Sequence, residues 1–169
     1  MRRALVCLLL LAVCAACSHA KQNPTLTKAL AANAAGNTAE AARLYEQVLR
    51  TDPTNKYALF NLGLIAQVKR DNATAETDYT KALATDPKFV PALSNLAVLR
   101  ATQGRTDDAV ALYRRVIEIE PKDAAARLQL GLLLEAQGKT DEGKSQIAEA
   151  VRLDPKLSAR VPSPSPTKR

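Results

Sequence analysis

The sequence predicts an all-α fold made of four helix–turn–helix units stacked on one another. Three observations carry this reading. Acidic–proline pairs stand at Asp52-Pro53, Asp86-Pro87, Glu120-Pro121 and Asp154-Pro155, with successive prolines 34 residues apart. Each interval holds two stretches of about 12–15 residues whose apolar positions recur at steps of three and four, the spacing of an amphipathic helix. Small residues at Ala41, Ala75, Ala109 and Gly143 are each followed four positions later by a bulky one, Tyr45, Tyr79, Tyr113 and Ile147.

The chain begins with a different kind of segment. Met1-Arg2-Arg3 is cationic, residues 4–13 are almost wholly apolar, and Cys14-Ala15-Ala16-Cys17-Ser18 is a run of small residues. This is the layout of a secretory signal. The 14 residues from Ala4 to Cys17 are too few to span a bilayer, which takes about 20 in a helix. Ala15-Ala16-Cys17 resembles a bacterial lipobox, with Cys14 where that pattern has Leu. The resemblance implies a signal peptide over 1–16, lipidation of Cys17 and a membrane-anchored exported protein, with residues 17–23 as a linker. Cleavage after Ser18-His19-Ala20 is the alternative and would leave a secreted or periplasmic soluble protein.

The repeats then run over 22–55, 56–89, 90–123 and 124–157. Leu62-Gly63, Leu96-Ala97 and Leu130-Gly131 keep register in the first helices of the last three. At each midpoint Gly36, Arg70, Gly104 or Gly138 separates the two helices. Thr38, Asn72, Thr106 and Thr140 are expected to cap the second helices, and Glu40, Asp107, Asp108, Asp141 and Glu142 suit their first turns. The repeat-ending proline lacks an amide proton and restricts the residue before it, so it stops the second helix. No unit can bury its apolar faces alone, so stability must come from stacking.

Taken together, these positions resemble the tetratricopeptide repeat (TPR), over 22–157. The resemblance implies a right-handed superhelical solenoid whose first helices line a concave face and bind a protein or peptide. Through repeat positions 2, 5, 9, 12 and 13 it maps a partner-binding groove that includes Tyr57, Phe60, Leu64, Gln67 and Val68 in the second repeat. The third contributes Ser94 and Val98, and the fourth Leu128, Leu132 and Glu135. Leu26 and Leu30 stand where some relatives use polar residues to grip a terminal carboxylate, so that clamp is not expected.

At its ends the chain departs from the pattern. Thr25, Lys28 and Ala29 give the first repeat a polar character suited to an N-terminal cap. No full helix follows Pro155, and residues 156–161 offer only about one turn before Pro162 ends it, so the outer side of the fourth repeat is expected to be uncapped. Residues 158–169 read as a disordered tail, ending Val161-Pro162-Ser163-Pro164-Ser165-Pro166-Thr167-Lys168-Arg169.

Composition excludes much chemistry. The single His (19) and all three Cys (7, 14 and 17) lie in the first 19 residues, so the repeats contain no His/Cys metal site, His-based triad or disulfide. Asp107/Asp108 and Asp141/Glu142 fit helix first turns better than acid–base catalysis. Asn72-Ala73-Thr74 matches a glycosylation sequon, yet capping accounts for Asn72. Aromatics are 4% of the chain and Trp is absent, which disfavours a base-stacking surface. The net charge of +7 is misleading: Arg2, Arg3, Lys21, Arg160, Lys168 and Arg169 lie outside the repeats, leaving 18 basic and 17 acidic residues within them.

The sequence therefore points to a non-enzymatic adaptor without cofactor or metal, exported and lipid-anchored, that holds an apolar peptide or helix of a partner protein. No nucleic acid or small-molecule substrate is implied. The alternative is a structural element of a membrane-associated assembly, joined by self-association or docking at the uncapped C-terminal repeat.

Overall fold

Eight α-helices follow one another in the structure, a computed structural model that describes residues 23–161. They are α1 (Pro24–Ala34), α2 (Thr38–Thr51), α3 (Lys56–Val68), α4 (Asn72–Thr85), α5 (Val90–Thr102), α6 (Thr106–Ile119), α7 (Ala124–Ala136) and α8 (Thr140–Leu153). A 3-10 helix, Pro155–Arg160, closes the described chain. The expected signal segment, Cys17 and residues 162–169 lie outside the described residues, and no helix among those described is long and apolar enough to cross a membrane.

Packing is almost entirely between neighbours in sequence. The helices pair as α1–α2, α3–α4, α5–α6 and α7–α8, and the pairs join through α2–α3, α4–α5 and α6–α7. Within each pair the backbones meet at small residues: Ala29, Ala41, Gly63, Ala75, Ala97, Ala109, Gly131 and Gly143 are all buried. A Cβ added to Gly63 would sit 2.7 Å from the Tyr79 ring, and one on Gly131 would sit 2.8 Å from the Gly143 carbonyl oxygen. Tyr45, Tyr79 and Tyr113 are buried one turn beyond the small residue, and Ile147 takes that place in the last pair.

Every first helix ends in the same Schellman junction. Gly36 N–H donates to the Asn33 carbonyl and Asn37 N–H to the Ala32 carbonyl; the bonds recur from Arg70 and Asp71, Gly104 and Arg105, and Gly138 and Lys139. The junction requires one left-handed residue, and the four have φ of +77°, +63°, +74° and +78°. Three are glycine; the second is Arg70. The residue that completes the junction immediately begins the next helix, so the N-caps fall one residue earlier than the sequence suggests. Asn37 and Asp71 accept from the amides of Glu40 and Thr74, whereas Arg105 and Lys139 make no side-chain cap. Thr38, Asn72, Thr106 and Thr140 are the first helical residues, and Asn72 is not the cap of α4.

The C-terminal end also corrects the expectation. Ser158, Ala159 and Arg160 belong to the 3-10 helix, so ordered structure runs past residue 157. Leu157 is buried against Leu128, Ile147 and Ala150, with Val161 packed beside them. This short segment caps the fourth repeat, and among the described residues α7 and α8 carry no exposed large apolar side chain.

Arg70 holds a left-handed backbone with its side chain exposed. An L-residue is strained there by roughly 1–2 kcal/mol relative to glycine's freedom. Arg70→Gly should therefore raise stability by about 1 kcal/mol, read as a higher urea midpoint at unchanged slope.

Candidate functional site

Large apolar side chains left exposed by the stack are confined to one set of helices. Among the described residues they are Leu30 (45% exposed), Tyr57 (48%), Val68 (83%) and Val98 (41%). They belong to α1, α3, α3 and α5, all of them first helices. Leu30, Leu64, Val98 and Leu132 occupy one repeat position at 34-residue intervals, and Leu64 and Leu132 are half-buried. An aliphatic row thus follows the first helices from one end of the stack to the other.

The residues expected in the groove divide by environment. Tyr57, Val68 and Val98 are exposed, and Ser94 and Glu135 are half-buried. Phe60 and Leu64 pack against the cluster of Ala66, Ala75, Tyr79, Leu96 and Leu99, so part of each belongs to the core. Gln67 is engaged within the fold, where its Oε1 accepts a 2.7 Å hydrogen bond from the Tyr79 hydroxyl. Leu128 is removed from the surface: it is 1% exposed because Leu157 and the 3-10 helix cover it. Leu132 packs partly on the same cluster.

The sequence reading missed the residue that organises the exposed end of α3. Phe89 meets Tyr57 edge-on at a centroid distance of 5.6 Å and Phe60 at 5.5 Å. Phe60 in turn lies 5.8 Å from Tyr79, so four rings run from the core to the surface. Lys56 stands over the Tyr57 and Phe89 rings and donates to Asp86. That bond raises the Lys56 ammonium above its ordinary pKa and holds the Asp86 carboxyl below its own. Phe89 occupies the N-cap of α5 without a capping bond. At the same repeat position Asn55 and Asp123 accept from the amides of Ala58 and Ala126. An aromatic where the other repeats place a cap was the signal available in the sequence.

What these side chains offer is apolar contact and aromatic stacking. Among the described residues no three His, Cys, Asp or Glu side chains gather to hold a metal ion. The buried Tyr79 and Tyr113 hydroxyls are pushed up to about 12 by burial, with nearby carboxylates adding to the shift.

These features define a tetratricopeptide-repeat protein. The family of the cilia and flagella-associated protein 70 middle TPR-like domain matches residues 26–154, and the chain belongs to that family. No curated protein matches it. Among solved structures it is similar to MamA, at 22% identity over 83% of this chain and 84% of that one, with a TM-score of 0.71. It is similar to YrrB, described as a TPR protein with an unusual peptide-binding site, at 24% identity over 80% and 70% of the two chains, with a TM-score of 0.73. A tetratricopeptide repeat protein from Parabacteroides merdae gives 23% identity over 78% and 53%, with a TM-score of 0.70. At these identities the likeness is one of fold. Repeats of this kind serve as protein-interaction modules.

Burial raises Tyr45 as well, and the two tyrosines shifted furthest, Tyr79 and Tyr113, set an alkaline limit. Their folded pKa lies above the ordinary value near 10, so the neutral phenol stabilises the fold fully below that pH, and the contribution is lost as pH rises toward about 12. Urea midpoints should be insensitive to these groups through neutral pH and fall from about pH 10, while absorbance at the phenolate band shows three tyrosines ionising late.

Proposed function

We propose that the chain is a non-catalytic adaptor, exported and lipid-anchored through Cys17, which holds an apolar peptide or helix of a partner protein along its first helices. The observation that carries the binding reading is the confinement of exposed large apolar side chains to first helices among the described residues. An apolar surface left clear along the first helices, while the C-terminal end of the stack is covered, supports reading that surface as an interaction site. An amphipathic helix laid into such a groove presents its own apolar stripe to the row. Tyr57, backed by Phe89, supplies the aromatic anchor that interfaces favour. Export and anchoring rest on the N-terminal segment alone. The competing reading, assembly through an uncapped C-terminal repeat, loses its basis because Leu157 and Val161 cover that end.

Two experiments test this. A photo-crosslinking residue at position 98, on α5, should trap a partner in cells of the source organism, and Leu30→Glu with Tyr57→Ala should remove the adduct while helicity is retained. The same probe at Lys144, exposed on the second helix α8, should trap nothing comparable; equal trapping there would show that the groove is not the site. For the anchor, Cys17→Ser should move the protein from the detergent phase to the aqueous phase and abolish palmitate labelling. A mutant that still partitions into detergent would end the lipoprotein reading.

A further inference from the structure

A second recess lies away from the groove positions, bounded by α5 and α6 and overlooked by Glu76 of α4. It encloses about 320 Å³, and its walls include Leu96, Arg100, Arg105, Asp108, Leu112 and Arg115. None of these is a residue of the apolar row. The unusual member is Arg100. At the same repeat position the other three units have Ala32, Ala66 and Leu134, and Leu134 is fully buried. Arg100 keeps only 13% of its side chain exposed.

Its charge is only partly answered. Nη2 of Arg100 meets a Glu76 carboxylate oxygen at 2.7 Å, and Arg105 shares that same oxygen at 3.5 Å. Nη1 of Arg100 is buried without a hydrogen-bond partner. Arg105 also pairs with Asp108, and Arg115 donates to the Pro87 carbonyl, which leaves its charge without a carboxylate partner. Three guanidiniums thus stand against two carboxylates. A largely buried ion pair seldom stabilises a fold more than the apolar residues it replaces, and an unmatched buried donor is costly.

The repeat provides its own comparison. One unit earlier the same recess, of about 240 Å³, is walled by Glu46, Asp71 and Asp78 with Lys69 as its cation. Two adjacent copies of one architecture therefore carry opposite charge, so stacking requires neither. Arg100 and Arg105 reach back to Glu76 of the preceding unit, yet the earlier copy stacks without such a pair, so the stack does not demand three arginines here.

We propose that the Arg100 recess is a binding site for an acidic protein segment, in which a Glu or Asp carboxylate takes the guanidiniums of Arg100 and Arg115 and an adjacent aliphatic side chain rests on Leu96 and Leu112. Guanidinium is suited to bidentate pairing with a carboxylate, and the aliphatic wall favours a peptide over a polynucleotide, for which the recess offers no aromatic platform. The site is separate from the apolar groove and does not depend on it.

The test uses the full chain and two fluorescein-labelled peptides, Glu-Leu-Glu-Leu-Glu and its Gln-for-Glu counterpart, followed by anisotropy at about 50 mM salt, where charge attraction is little screened. The acidic peptide should bind saturably and the Gln peptide should not. Arg100→Leu and Arg115→Gln should each weaken binding about tenfold, the scale of one charge-assisted hydrogen bond. Glu76→Gln should tighten it, because the carboxylate that competes for Arg100 and Arg105 is gone. Arg100→Leu should also keep its urea midpoint, so that its loss of binding is not a loss of fold. Equal binding of the two peptides, no saturable binding, displacement by a thymidine oligonucleotide at lower concentration than by the acidic peptide, or an unchanged affinity in Arg115→Gln would overturn the proposal.

Discussion

The rest of this solenoid depends on how closely the two helices of each repeat approach at their paired small residues. Where Gly131 faces Gly143, the gap admits no side-chain atom without moving backbone. Where Gly63 faces Ala75, the limit is a buried tyrosine ring. Backbone contact is less forgiving than ring contact, so the last pair is more rigidly specified than the second. Because each pair is fixed this way, a single register of stacking follows, and α2, α4 and α6 present the same face to the first helix of the next unit. That register leaves the position of Leu30 and Val98 open to solvent, so its side chain is free to vary one repeat at a time.

The junction within each repeat shows how little chain such a design needs. A single residue ends one helix as the last member of its Schellman motif and starts the next as its N-cap. The two demands differ in strictness: a cap wants a short acceptor side chain, while the position after a left-handed residue accepts almost anything. Asn37 and Asp71 satisfy both, but Arg105 and Lys139 give up the cap. Their helices carry Asp107, Asp108, Asp141 and Glu142 in the first turn instead, where negative charge offsets the exposed amides.

Helix number, pairing, the close contacts and the midpoint breaks were all legible, because each is imposed by a local rule repeated four times. Caps were misplaced by one residue, since Thr38 and Asn37 are equally good candidates by composition and only the junction's hydrogen bonds separate them. The cover provided by Leu157 was illegible for a different reason. One leucine in Lys156-Leu157-Ser158-Ala159 has no periodicity, and its burial is decided by the apolar surface of Leu128 and Ile147, residues distant in sequence. The same contact withdrew Leu128 from the groove, so one unread interaction changed the reading of two features. Phe89 escaped because nothing in its own segment marks it; only its departure from Asn55 and Asp123 at the same register does.

That departure also shows how surface chemistry is set in a repeat. Replacing a cap acceptor by Phe89 gives up about 1 kcal/mol at the start of α5. The ring is compensated by edge-on packing with Tyr57 and Phe60, contacts of similar size. Arg100 is the charged counterpart: it displaces an alanine or leucine and recovers part of the loss through Glu76 of the preceding unit. In both cases the stacking register is untouched, because the side chain exchanged is not one of the small residues on which the helices meet. The near-neutral body of 18 basic and 17 acidic residues therefore conceals strong local fields of opposite sign, one beside Asp78 and one beside Arg100. Net charge is uninformative for such a scaffold; what a partner meets is decided at single register positions, which a solenoid can vary independently.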